Sequence, residues 1–291
     1  MPISNLTHRE EYLRKKRKQR QIKLGLSVLL VIIFISAFSY ISHRSEFRIS
    51  KIKLSGGVLV TEEEVGKKSK EYLEGSYLWL FPKDNFFWYS KTGLNNHLKE
   101  SFKRIEEIDI SLTGFKTLIV SIRERKPYAI WCNTVPGRDN ATIEGVISEV
   151  ASLENCYFID QNSTIFAMAP NFSGDAYFKY YGIISGESIL GKEYMASSTL
   201  FRDINIFVSK IKELSLNPLY IVGNDNGEFT LTLSGGTEIY FDTAESLTKV
   251  YDNLEALLKT PDLNLTNDGD LPVQYIDLRY GNKLFYKLKG E

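Results

Sequence analysis

One long apolar run comes first. Leu24 to Ile41, LGLSVLLVIIFISAFSYI, holds 18 residues and no charge. At about 1.5 Å per residue a helix of that length reaches roughly 27 Å, near the hydrocarbon thickness of a bilayer. The run predicts a transmembrane helix. Beyond it the period changes. Phe47 to Leu54 alternates, with Ile52 and Leu54 on one side and Lys51 and Lys53 on the other, as in a half-buried strand. Gly56-Gly57 ends it. Thr61-Glu62-Glu63-Glu64 has the form of a capping box and opens a helix to about Tyr72. A second helix spans Ser90 to Phe102, with Leu94, Leu98 and Phe102 at spacing four. Ile105 to Leu112 and Thr117 to Glu124 alternate as two strands around a turn at Gly114. The order is strand, helix, helix, strand, strand.

Lys126-Pro127 marks a boundary, and β patterns dominate after it. Tyr128–Trp131, Cys156–Asp160 and Thr164–Met168 read as strands, and Ala169–Lys192 as irregular. A helix follows over Ser197–Leu214, its stripe made by Leu200, Ile204, Phe207, Val208 and Ile211. Leu219–Gly223, Glu228–Leu233 and Thr237–Phe241 read as strands separated by Asn/Asp/Gly turns. A last helix starts near Thr243 and carries Leu247, Val250, Tyr251, Leu254, Leu257 and Leu258 on one face. A hairpin of Val273–Arg279 and Lys283–Leu288 turns across Gly281-Asn282. The expected fold class is α+β: a single N-terminal transmembrane helix (24–41) behind a basic tail (1–23), a β-α-α-β-β domain (45–126), and a β-rich domain (127–291) with helices packed on an antiparallel sheet.

Charge sets a direction. The chain carries 36 basic and 36 acidic residues, yet the first 23 residues hold 8 basic and 2 acidic ones, leaving 28 and 34 beyond. A short Lys/Arg-rich flank predicts a cytoplasmic N-terminus, with everything past Ile41 outside. The acidic remainder argues against a nucleic-acid partner; membrane lipid suits the tail. A cleaved signal peptide is the alternative for the apolar run, but Ala37-Phe38-Ser39-Tyr40 is a poor cleavage site.

Three features invite chemistry. Cys132 and Cys156 bracket a polar segment between two strand patterns. A cross-strand disulfide is expected there, contributing about 3 kcal/mol in the chain-entropy estimate; two buried free thiols are the other reading. Tyr77–Tyr89, YLWLFPKDNFFWY, reads as a core loop whose Leu80 and Phe81 plug between helices, or as a lipid or partner contact. Asp268-Gly269-Asp270 has the shape of a metal-binding motif. With sequons at Asn5, Asn140, Asn162, Asn171 and Asn264, it raises a membrane-anchored glycosyltransferase as an alternative. That motif lies in a polar loop rather than at a strand end, and His8, His43 and His97 all precede the second domain, so no Ser/His or Cys/His pair is available there. No metal or cofactor site is expected.

Four stretches carry a family resemblance. They are Ile52-Lys53-Leu54-Ser55-Gly56 with Thr61-Glu62-Glu63-Glu64-Val65; Leu118 through Glu124-Arg125-Lys126-Pro127 to Trp131; Phe158-Ile159-Asp160 leading to Ile165-Phe166; and Tyr275-Ile276-Asp277-Leu278-Arg279-Tyr280. In this order and spacing the chain resembles the FtsQ/DivIB family of bacterial cell-division proteins. The segment between the cysteines is longer than the family's usual connection. The resemblance implies that the first domain is a POTRA module and that the protein is not an enzyme. It implies a divisome scaffold at the septum of the cytoplasmic membrane, binding FtsB/DivIC-like and FtsL-like single-span partners through its last strand, and other division proteins through the POTRA module. A POTRA-containing secretion component is a further alternative.

The implied partner site is the C-terminal hairpin: Arg279, Tyr280, Lys283, Leu284, Phe285, Tyr286 and Lys287. A free sheet edge offers unpaired N–H and C=O groups to a partner strand. Leu284, Tyr286 and Leu288 alternate with Lys283, Phe285 and Lys287. The lysines either guard the edge against indiscriminate pairing or meet an acidic partner. Arg279 either grips a partner carboxylate or pairs internally with Asp277. Lys249 and Asn253 flank the site by fold analogy.

Overall fold

A computed structural model describes residues 4–136, 155–170, 176–186, 188–195, 197–223, 227–260, 263 and 270–290. The chain divides between Glu124 and Arg125 into two compact units.

The first unit opens with α1 (Ser4–Ser42), a helix long and apolar enough to cross a membrane. The C-terminal end of α1 is held by the aromatic segment: Asn85 Nδ2 donates to the Ser42 carbonyl at 2.8 Å, and Trp88 Nε1 to Ser42 Oγ at 3.2 Å. The chain then makes a short 3-10 turn at Ser45–Phe47 and enters β1 (Lys51–Ser55), which starts four residues later than the strand expected from Phe47. Next come α2 (Glu62–Leu73), a two-rung hairpin β2 (Ser76–Tyr77) and β3 (Phe81–Pro82), α3 (Lys91–Ser101), β4 (Ile105–Thr113) and β5 (Thr117–Glu124). The sheet order is β1-β5-β4, with β1 parallel and β4 antiparallel to β5. Val65, Leu94, Leu98, Leu118 and Val120 are fully buried where the helices meet the sheet.

Local chemistry explains the entry to α2. Thr61 caps the helix and Glu64 reaches back, completing the capping box. Gly56 sits at φ +84°, where a Cβ would lie 2.3 Å from the Ile122 carbonyl, so no side chain fits. Glu124, at the end of β5, accepts the N–H groups of Val58, Leu59 and Val60 at 2.8–2.9 Å. Burial pushes that carboxyl up, but the three backbone donors outweigh it and hold it below its ordinary value. The expected plug of Leu80 and Phe81 between helices is not formed. Phe81 packs on Trp88 with rings 4.9 Å apart, and Leu80 stays exposed beside α1.

The second unit is a nine-stranded sheet in the order β14-β13-β12-β11-β10-β9-β6-β7-β8. Its elements are β6 (Ala129–Cys132), β7 (Cys156–Ile159), β8 (Ile165–Met168), β9 (Lys179–Tyr181), α4 (Ser198–Glu213), β10 (Pro218–Gly223), β11 (Glu228–Leu233), β12 (Glu238–Asp242), α5 (Leu247–Leu258), β13 (Val273–Tyr280) and β14 (Lys283–Leu288). The expectation of an antiparallel sheet is corrected: β6–β9, β9–β10 and β12–β13 are parallel. For β9–β10 and β12–β13 the reason is the helices. Each is a crossover, β9-α4-β10 and β12-α5-β13, which returns the chain to the same end of the sheet before the next strand. Both lie on one core with Phe201, Ile204, Phe207, Val250 and Leu254 against Ile221, Leu231, Ile239, Phe241 and Ile276.

Two further boundaries differ from expectation. β9 lies inside the segment read as irregular; three residues are too few to show alternation, and Tyr180 and Tyr181 are buried in succession. α5 begins at Leu247, capped by Ser246, because Thr243 to Glu245 belong to a turn in which Asp242 accepts the Ala244 N–H. Asp160 organises the β7–β8 turn by accepting the N–H groups of Asn162 and Thr164, and pairs with Arg125. Cys132 and Cys156 stand directly opposite in the β6–β7 ladder and are joined by a disulfide. Residues 137–154 of the segment between them lie outside the described residues.

Candidate functional site: an open sheet edge

β14 forms one end of the nine-stranded sheet and, among the described residues, pairs with β13 alone. Gly281 takes the positive φ of the connecting turn, +63°, and Asn253 on α5 donates to its carbonyl at 2.9 Å. Asn253 thus braces the hairpin, while Lys249 pairs with Glu245 in the turn that precedes its helix. The register slips between Asp277 and Tyr280, one extra residue falling on β13. Ile276 and Leu278 face the core, while Asp277 between them is buried on the opposite face beneath Arg279.

The seven expected residues share this hairpin but not one environment. Leu284 packs against the core, as does Leu288. Tyr286, opposite Ile276, is 38% exposed because the sheet ends there. Phe285, opposite Asp277, is 50% exposed and meets Tyr280 edge to face at 5.3 Å. Lys283 and Lys287 are exposed and make no ion pair among the described residues. Unpaired strand backbone, two exposed aromatics and two cations therefore occupy one rim.

Arg279 is engaged within the protein. Its Nε and Nη2 donate to the two oxygens of Asp277 at 2.9 and 2.6 Å, and Nη1 to Glu228 at 3.2 Å. Its guanidinium also lies over the rings of Tyr240 and Tyr280 at 5.4 and 5.9 Å. The internal pair with Asp277 is thus present. Hydrogen bonding to Asp277 drives the arginine pKa upward. Burial raises the Asp277 pKa, but the bonds from Arg279 prevail and hold it below its ordinary value. Arg279 fixes the outer face of β13 and presents Tyr280.

Sequence reasoning did not find Glu228, Tyr240 and Tyr275. Tyr240 stands beside Asp277 in the parallel β12–β13 ladder and packs against Tyr275 with the rings tilted, 5.6 Å apart. Burial and the bond it donates to Glu238 push its hydroxyl up to about 12. Its neighbours Ile239 and Phe241 face the helices, so alternation turns Tyr240 to the helix-free face. That alternation was legible; the neighbourhood of β13 was not. Of the Asp268-Gly269-Asp270 motif, 268 and 269 lie outside the described residues, while Asp270 accepts from Ser234 Oγ at 3.4 Å. No known family model matches the chain, and no curated protein matches its sequence.

Proposed function

We propose that this protein is a membrane-anchored, non-enzymatic scaffold that takes a partner strand onto β14. α1 crosses the membrane once, with the basic flank inside and both compact units outside. The first unit acts as a POTRA module. The reading is that of an FtsQ/DivIB-type division protein at the septum, whose partners are single-span proteins of the FtsB/DivIC and FtsL kind. What carries it is the rim of β14: free backbone groups beside exposed Phe285 and Tyr286, flanked by Lys283 and Lys287. A strand laid there completes the ladder, and covering the half of Phe285 that is still exposed stabilises the complex by roughly 0.8–1.5 kcal/mol.

The test is co-purification of the detergent-solubilised full chain with such partners. Phe285→Asp should weaken capture roughly 3- to 10-fold, the conversion of that burial energy. Retention at wild-type strength by a folded variant would remove the edge-strand site.

A further inference from the structure

The β2–β3 hairpin has no role in the scaffold reading. Its turn runs from Tyr77 to Leu80 and is closed by the Leu80 N–H donating to the Tyr77 carbonyl at 3.0 Å. Both central residues are left-handed, Leu78 at φ 49° and Trp79 at φ 60°. That sign pattern favours Asn-Gly, and bulky side chains adopt it only under strain. Here it carries two large apolar residues, 83% and 93% exposed. In water, neither the backbone nor the side chains benefit.

The contacts with α1 fix where this tip lies. Asn85 bonds at Ser42, as described, whereas Leu80 accepts from Ser39 Oγ at 2.7 Å. At about 1.5 Å per residue, Leu80 stands roughly 4.5 Å further down the helix than Asn85. From Asn85 back to Leu80 the chain therefore descends toward the uncharged run, and Ser39 lies inside that run. Leu78 and Trp79 form the turn beyond. Around this level Arg44 lies over the Tyr40 ring at 5.3 Å and Lys83 over the Tyr77 ring at 5.9 Å. A Trp tip, a tyrosine layer and a cation layer follow the order of an aqueous–lipid interface.

We infer that Leu78 and Trp79 insert into the interfacial layer of the leaflet where α1 ends, with Arg44 and Lys83 at the headgroup phosphates. The occupant of this apolar tip is the bilayer itself. The hairpin is a second membrane contact, fixing the height and tilt of the first unit on its anchor. This inference rests on α1 spanning the membrane.

The experiment uses the full chain reconstituted in vesicles of phosphatidylcholine and phosphatidylglycerol, with and without dibrominated phosphatidylcholine. The protein has three tryptophans, so the emission of wild type minus Trp79→Phe isolates Trp79. That emission should be blue-shifted, lose most of its intensity to the brominated lipid, and resist aqueous acrylamide. The double variant Leu78→Asn with Trp79→Gly, suited to the turn, should fold, float with vesicles, and show no such emission. Trp79 that ignores bromine and yields to acrylamide in floating protein overturns the inference, and leaves the tip to water or a protein partner. Protein that does not float with the vesicles overturns the anchor reading as well.

Discussion

The two ends of the nine-stranded sheet solve the same problem differently. At one end, the start of β8 is covered by the protein's own chain: Ile165 donates to the Lys192 carbonyl at 2.8 Å and accepts from Gly191 at 2.7 Å, while Tyr194 donates to Ser163 at 2.9 Å. Thr164 and Glu193 form a bridge alongside. At the other end, β14 has a neighbour on one side among the described residues. Composition follows the difference. Ile165-Phe166-Ala167-Met168 has no charge, whereas β14 places lysines on both sides of Leu-Phe-Tyr. A covered edge tolerates an apolar strand; an open edge needs charges that discourage indiscriminate pairing. On the proposed reading the lysines keep the rim soluble while the aromatic centre stays available to a partner strand.

The comparison can be broken most severely at the covered end. Replacing Cys132 and Cys156 together by Ser removes the β6–β7 tie and should cost about 3 kcal/mol of stability in thermal or urea unfolding of the full chain, with partner capture at β14 retained below the melting temperature. Loss of capture by the folded variant would mean that the two ends are not independent.

Next in size are matched charges at the two rims. Phe285→Asp should weaken capture as stated above, while Met168→Asp, at a residue 65% exposed on β8, should leave it unchanged. Equal losses would remove the distinction between the ends.

The Arg279–Asp277 pair sharpens the account of the open end. The folded-state pKa of Asp277 lies below its ordinary 3.8. Its contribution, about 1 kcal/mol, is therefore complete above that pH and is lost as pH falls through the lower, folded value. The stability advantage of wild type over Arg279→Gln should accordingly be present at neutral pH and fade only in strong acid, measured by denaturant unfolding across pH. An advantage that persists in acid would assign Arg279 a packing role. The smallest effect concerns the guards: Lys283→Thr with Lys287→Thr should raise concentration-dependent self-association in sedimentation, with little change in melting temperature. A variant as monodisperse as wild type would show that the lysines do not protect the rim.

Much of this was legible in the residues. The Thr61/Glu64 capping box, the alternation of β5, and the apolar stripes of α4 and α5 are local patterns, and they appear at their predicted positions. Other features were not. β9 is three residues long and buried on both faces, so it lacks the polar alternation that marks a strand. Leu80 and Phe81 look like core in a string of letters, yet the turn holds them beside α1 rather than between α2 and α3.

Taken by itself, the sequence determined what depends on near neighbours along the chain: a segment long and apolar enough to span a membrane, where α2, α3 and α4 begin, and that the last two strands form a hairpin. Capping, periodicity and turn chemistry act over a few residues, so they can be read directly. Strand direction, the closing of one sheet edge and the clasping of Arg279 by Glu228, 51 residues away, were decided by the tertiary structure. They depend on where α4 and α5 return the chain, and a crossover's landing place is set by burying both helices on one core, which no local pattern encodes.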